Sequence, residues 1–124
     1  MSRWVIHASA DFTARHALAS YLGSPEEPHT HLWKVAVRAA ADRLNREGYS
    51  LDFHALHQLL DEAVAPLENR DLSRHPRIGS PTPSAERLAE VLAEILAPRI
   101  NELGGTLISV SVWEGPDNRV DLEL

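Results

Sequence analysis

Two stretches of strict alternation constrain the fold more than any other feature of the chain. From Arg3 to His16, odd-even counting puts Trp4, Ile6, Ala8, Ala10, Phe12, Ala14 and His16 on one face. Val5, His7, Ser9, Asp11, Thr13 and Arg15 fall on the other. Successive side chains leave a strand on opposite sides, so a period of two with one apolar and one mostly polar face predicts a long, half-buried strand with room for a bulge. The second run, HTHLWKVAVRA, groups His29, His31, Trp33, Val35 and Val37 against Thr30, Leu32, Lys34, Ala36 and Arg38. His16 ends the apolar row of the first strand and points inward, while His29 and His31 share a face with apolar residues.

Between and after these runs the periodicity changes. Asn45 to Ser50 reads as a connection turning at Gly48. In LDFHALHQLLDEAVAPL the apolar residues Phe53, Leu56, Leu60, Val64 and Leu67 recur every three or four positions, the mark of an amphipathic helix, with Asp52 as its N-cap. ENRDLSRHPRIGSPTPS is polar and broken by prolines, and it predicts one long loop of the kind that often carries function. A second helix follows, burying Leu88, Val91, Leu92 and Ile95, capped either by Thr82 with Pro83 at the first helical position or by Ser84. TLISVSVWEGPDNRVDLEL holds two alternating runs around Gly115-Pro116-Asp117-Asn118, a hairpin signature. The order ββααββ predicts an α+β fold: a four-stranded antiparallel sheet with two helices on one face, in a single domain over residues 1–124.

Composition narrows the chemistry. A net charge of −6 with a single lysine disfavours a nucleic-acid partner, because neutralising phosphates takes clustered cations. With no cysteine there is no disulfide, thiolate nucleophile or Cys-based zinc site. The apolar runs are too short to cross a bilayer and the N-terminus lacks a signal-peptide layout, so the expectation is a cytoplasmic protein without membrane contact.

Two histidines at i and i+2 of a strand can face one ion when a third comes from a neighbouring strand, and His16, His29 and His31 meet that demand. The alternative is a pair of strand histidines near a sheet end. Glu114 ends the third strand on the face of Ile108, Val110 and Val112, where a carboxylate needs donors if it is buried and none if it is exposed at the hairpin. Glu26 and Glu27 precede His29 and suit metal binding, acid-base work or loop solubility.

Five segments in register resemble the 6-pyruvoyl-tetrahydropterin synthase and 6-carboxy-tetrahydropterin synthase family over nearly the whole chain. Phe12-Thr13-Ala14-Arg15-His16-Ala17-Leu18 is similar to its F-S-A-x-H-x-L, and His29-Thr30-His31-Leu32-Trp33 to its H-G-H-N-Y. Leu51-Asp52-Phe53-His54-Ala55-Leu56 resembles V-x-D-F-x-x-L, Pro83-Ser84-Ala85-Glu86 resembles P-T-S-E, and Val112-Trp113-Glu114 resembles V-x-E-T. The resemblance implies the tunnelling fold, in which sheets join into a trimeric barrel and two trimers stack as a hexamer, with a pterin pocket between subunits. It implies zinc on His16, His29 and His31, a pterin ring anchored by Glu114, and Ser84 and Glu86 near that ring.

The departures matter equally. The family's synthases pair a cysteine before H-G-H with an Asp-His dyad in L-D-H-x-x-L-N. This chain has no cysteine, and it carries Glu68 and Asn69 at the dyad. Asparagine exchanges no proton near neutral pH, so the standard synthase reaction should be lost or severely weakened. Thr30 replaces the glycine between the histidines, and the loop from His16 to His29 is short, which leaves zinc occupancy open. The first reading is a homologue that binds a pterin or a related purine-like heterocycle without the standard reaction. One rival rests on a subgroup with a glutamate three residues before H-G-H, linked to cleavage of the dihydroneopterin side chain for folate synthesis; Glu26 stands at that spacing and would be its catalytic residue. The other rival is a non-catalytic binding or assembly paralogue.

Overall fold

The computed structural model describes residues 2–124. Strand β1 (Trp4–His16) and strand β2 (His29–Ala41) pair antiparallel without a break, from Trp4 opposite Ala41 to His16 opposite His29. Helix α1 (Phe53–Val64) follows, then a short strand β3 (Arg70–Asp71), helix α2 (Ala85–Glu102), and the hairpin of β4 (Thr106–Glu114) and β5 (Asn118–Glu123). The sheet order is β3-β1-β2-β4-β5.

The four long strands are antiparallel as expected, but the sheet has five strands, and β3 runs parallel to β1. This corrects both the four-stranded sheet and the continuous loop expected after α1. Two residues are too few to show a period. What places them is backbone bonding to β1: Asn69 N–H donates to the Thr13 carbonyl, and Thr13 N–H donates to Glu68 Oε2. Two 3₁₀ turns, Ala65–Leu67 and Leu72–Arg74, flank β3, and Leu67 and Leu72 are buried. Gly79 then packs so tightly that a Cβ would lie 2.4 Å from the Ser73 carbonyl oxygen, so the chain passes there only without a side chain.

The inward rows of the two long strands form the core floor as the alternation requires: Ile6, Ala8, Phe12 and Ala14 with Trp33, Val35, Val37 and Ala39 are all buried. The first strand needs no bulge. The irregularity falls instead between β2 and β4 at Arg38/Ala39, where Ile108 is passed over and Leu107 pairs with Ala39. Hence Leu107, not Ile108, joins Val110 and Val112 in the core, because one inserted residue flips the faces beyond it.

Both helices close over this face. Asp52 caps α1 by accepting from His54 N–H, and Leu56, Leu59, Leu60 and Val64 are buried, whereas Phe53 is exposed at the first turn. Ser84 rather than Thr82 caps α2, accepting from Arg87 N–H at 3.0 Å. Leu88, Val91, Leu92, Leu96 and Ile100 of α2 face inward, with Ile95 half-buried. Each buried aliphatic side chain contributes about 1.5–3 kcal/mol, so this layer carries most of the stability. No helix among the described residues is long and apolar enough to cross a membrane.

Candidate metal and pterin site

The sheet brings the histidines together at one end of its helix-covered face. His16 stands opposite His29 across the β1–β2 ladder and Ala14 opposite His31, while Glu114 ends β4 opposite Trp33. Beneath them lies Trp33, fully buried, its indole N–H bonded to the Ala14 carbonyl at 3.1 Å, with the ring stacked on Phe12 and met edge-on by His16. The indole thus forms an aromatic floor against His16 and His31.

One donor atom from each of His16, His29, His31 and Glu114 lies within 4.8 Å of the others. Glu114 Oε1 is 2.6 Å from His16 Nε2 and 3.2 Å from Nε2 of both His29 and His31. Around a tetrahedral zinc with bonds of about 2.0–2.1 Å, ligand atoms stand about 3.3 Å apart, so the two 3.2 Å spacings suit such an ion, whereas Glu114 Oε1 stands closer to His16 than two ligands of one ion would.

Proton accounting tests that fit. The Nδ1 of His16 lies 2.7 Å from the Pro83 carbonyl, and the Nδ1 of His29 lies 3.0 Å from the Glu27 carbonyl. A carbonyl only accepts, so in each ring Nδ1 carries the hydrogen and a neutral ring presents a bare lone pair at Nε2. Those lone pairs face a carboxylate oxygen, which also only accepts. Two contacts between acceptors are stable only with positive charge supplied to them, by two imidazolium protons or by one divalent cation. A zinc ligand with its far nitrogen fixed on a carbonyl has this arrangement, and the residues present fit the metal.

The electrostatics agree. Burial lowers the pKa of His29, but the Glu27 carbonyl and the carboxylates of Glu114 and Glu26 outweigh it and hold the imidazole above its usual value. Burial raises that of Glu114, and the charge and hydrogen bonds of His16, with His29 and His31, outweigh it and hold the carboxyl below the ordinary range.

Glu26 is the other acidic group at the site. Its Oε1 accepts from Leu18 N–H at 2.9 Å and lies 3.8 Å from His29 Nδ1, while Glu26 N–H returns a bond to the Leu18 carbonyl. This reciprocal pair pins the β1–β2 loop so that the carboxylate sits beside His29, on the Nδ1 side of its ring. Ser84 reaches the site through its neighbour: the carbonyl of Pro83 orients His16, while the Ser84 Oγ caps α2. Glu86 is exposed on the first turn of α2 and has no side-chain bond to the cluster. Sequence reasoning placed the histidines and Glu114 but missed that Glu114 points into the histidine cluster. The signal was available in the strand register, which sets Glu114 across from Trp33, two residues beyond His31.

A family model described as 6-pyruvoyl tetrahydropterin synthase matches residues 5–123. The chain belongs to the 6-pyruvoyl tetrahydropterin synthase family. It is 30% identical over 115 residues to a Pyrococcus furiosus dihydroneopterin monophosphate aldolase, covering 92% of each protein. Among solved structures it is similar to an uncharacterised Wolinella succinogenes protein, with a TM-score of 0.82 and 21% identity over 99% of each chain. It is also similar to the Caenorhabditis elegans 6-pyruvoyl tetrahydropterin synthase, with a TM-score of 0.81 and 16% identity, over 100% of this chain and 97% of the other. A third is a Plasmodium vivax 6-pyruvoyltetrahydropterin synthase whose catalytic residue, a glutamate, is changed to alanine, with a TM-score of 0.75 and 14% identity over 100% of this chain and 99% of that one. These three likenesses establish the shared fold.

Proposed function

We propose that the chain cleaves the side chain of a dihydropterin in an aldolase reaction, with the ring held near Glu114 and the start of α2 and the side chain laid across His16, His29 and His31. The observation that carries this reading is Glu26, a half-buried carboxylate held beside His29 in a chain without cysteine. The aldolase name of the Pyrococcus furiosus relative supports it, and so does a catalytic glutamate in a synthase of the same fold. With that relative in view, the lyase reading moves ahead of the purely ring-binding one.

Glu26 acts as general base. It takes the proton of the second side-chain hydroxyl, and the bond between the first and second side-chain carbons breaks. The electron pair of that bond moves onto the ring-conjugated first carbon, which then takes up a proton, leaving a hydroxymethyl-dihydropterin and a two-carbon aldehyde. Zinc on His16, His29 and His31 would supply Lewis-acid polarisation of the side-chain oxygens. Glu114 has two oxygens: Oε1 faces the histidines, and Oε2 is left for the ring's N–H donors. The Ser84 hydroxyl hydrogen, not used by the cap, and the exposed Glu86 carboxylate bound the ring from α2. The standard synthase reaction does not belong to this reading, because the chain has no cysteine and Asn69, at the position of the dyad histidine, has no titratable group.

We further propose a homo-oligomer, a hexamer built as a dimer of trimers with sheets joined into a barrel, in which a neighbouring copy closes the ring pocket. The unpaired outer edge of β5 and the exposed Leu32 on the helix-free face support it, since open edges and apolar sheet faces are normally covered. Zinc-loaded protein incubated with dihydroneopterin and its monophosphate tests the function. Hydroxymethyl-dihydropterin and an aldehyde are the expected products. Pterin binding without turnover would favour the non-catalytic rival, and a pyruvoyl product would overturn the proposal.

A further inference from the structure

A second polar site lies at the β3 edge of the sheet, outside the histidine centre. Arg15, Asn69, Arg70, Asp71, Arg74 and His75 line an open cavity of about 580 Å³. Arg15 leaves β1 on the face opposite the buried His16, so the cavity is chemically separate from the metal site. The segment that builds it is the one whose dyad positions have been turned to other use. Asn69 sits in the left-handed region, with φ of 58°, and this turn feeds Arg70 directly into β3 beside Ala14.

The charges there are unbalanced. Among the described residues, neither Arg15 nor Arg70 makes a side-chain hydrogen bond or ion pair; Arg77, Arg87, Arg99 and Arg119 face carboxylates, and Arg3, Arg38, Arg43 and Arg46, also without a partner, lie outside the cavity. Among the described residues Asp71 is the only acid lining the cavity, and its carboxylate is drawn onto Ser73 N–H at 3.0 Å and towards Arg74 Nε at 3.9 Å. Three guanidiniums against one carboxylate leave two positive charges in a chain whose net charge is −6. His75 adds a donor of fixed polarity. Its Nδ1 accepts from the N–H groups of Arg77 and Ile78, so the neutral ring carries its hydrogen on Nε2. Burial and the Arg77 charge hold its pKa below the usual value, which keeps it neutral.

Two free guanidinium forks, a third only loosely engaged, an amide and a neutral N–H donor form a donor set with a surplus charge of two. Its chemical complement is a dianionic, tetrahedral oxyanion with several acceptor oxygens. We propose that this cavity binds a phosphate monoester or free phosphate, with Arg15 and Arg70 as its principal ligands and Arg74, Asn69 and His75 completing the shell. The phosphate has two sources: the substrate's own ester, presented from a neighbouring copy, or an independent phosphate bound as an effector.

Calorimetric titration of the zinc-loaded protein with inorganic phosphate, dihydroneopterin monophosphate and dihydroneopterin tests the proposal. Phosphate should bind the wild type, and the double variant Arg15→Gln/Arg70→Gln should weaken it by about tenfold or more. Arg43→Gln, in the loop after β2, should leave it unchanged. If the monophosphate outbinds dihydroneopterin and the gap closes in the double variant, the source is the substrate. If the gap persists, the site takes free phosphate. Both substituted residues are exposed, and Arg70→Gln alone serves if the double variant loses its native melting transition. The proposal is overturned if phosphate gives no binding heat, or if binding survives the arginine changes and is lost in His29→Ala, which would put the anion on the metal. Zinc content and dihydroneopterin binding are read in the same samples, so failure here leaves the histidine-centre reading standing or falling on its own data.

Discussion

Replacing Glu114 with glutamine separates the charge of that residue from its shape. In the native arrangement one oxygen serves three imidazole nitrogens, the shortest contact being 2.6 Å to the buried His16. Glutamine fills the same volume but carries no charge, and two rings whose Nδ1 hydrogens are committed to carbonyls lose the anion that their Nε2 atoms face. A partly buried, charge-assisted contact of this kind is worth about 2 kcal/mol, equivalent to about 30-fold in a binding constant. Glu114→Gln should therefore weaken zinc by about that factor in competition with a chromophoric chelator. With zinc removed, the variant should lose more stability at mildly acidic pH, where His29 is charged, than at pH values where it is neutral. An unchanged zinc Kd would refute the reasoning, because it would mean that the carboxylate is not part of the cation's surroundings.

Two further outcomes follow from the same contacts. The folded pKa of His29 lies above its ordinary value of 6.5, so in metal-free protein its contribution is complete below 6.5 and fades as pH rises through the folded value. Glu114 lies below its ordinary value of 4.5, so its contribution is present above 4.5 and fades as pH falls through the folded value. Chelator-treated protein should thus show its highest urea midpoint between these limits, whereas zinc affinity should climb with pH as the proton leaves His29; a midpoint insensitive to pH would contradict the assignment. Ser84→Ala should cost about 1 kcal/mol by removing the α2 cap, read as a Tm lower by about 4 °C.

Much of this was legible in the chain because period and burial coincide. The alternation in Arg3–His16 and His29–Val37 described two strands half-buried on the face that the helices cover, and apolar spacing located both helices. What failed was structure set by tertiary bonding rather than by pattern. Strand β3 exists because Glu68 and Asn69 bond to Thr13, and no local signal in ENRD encodes that pairing. The exchange of Ile108 for Leu107 follows from a bulge against β2, which a single strand's alternation cannot reveal. The convergence of the three histidines was readable from their faces, whereas Glu26 was singled out only by the family resemblance, and the structure places it beside His29. The orienting carbonyls of Pro83 and Glu27 were not readable, since any residue type supplies a carbonyl. Glu86 illustrates the converse: a motif position placed it near the ring, and the structure leaves it exposed with no side-chain bond to the cluster.

The most direct test of the central claim is Glu26→Gln, assayed for zinc content and for turnover of dihydroneopterin monophosphate on the same preparation. The carboxylate holds the loop through an oxygen that accepts from Leu18 N–H, a bond that glutamine can retain, so folding and zinc stoichiometry should match the wild type. Loss of the general base should lower the rate of hydroxymethyl-dihydropterin formation by about 10²–10⁴-fold. A variant that keeps its zinc and turns over at the wild-type rate would contradict the account.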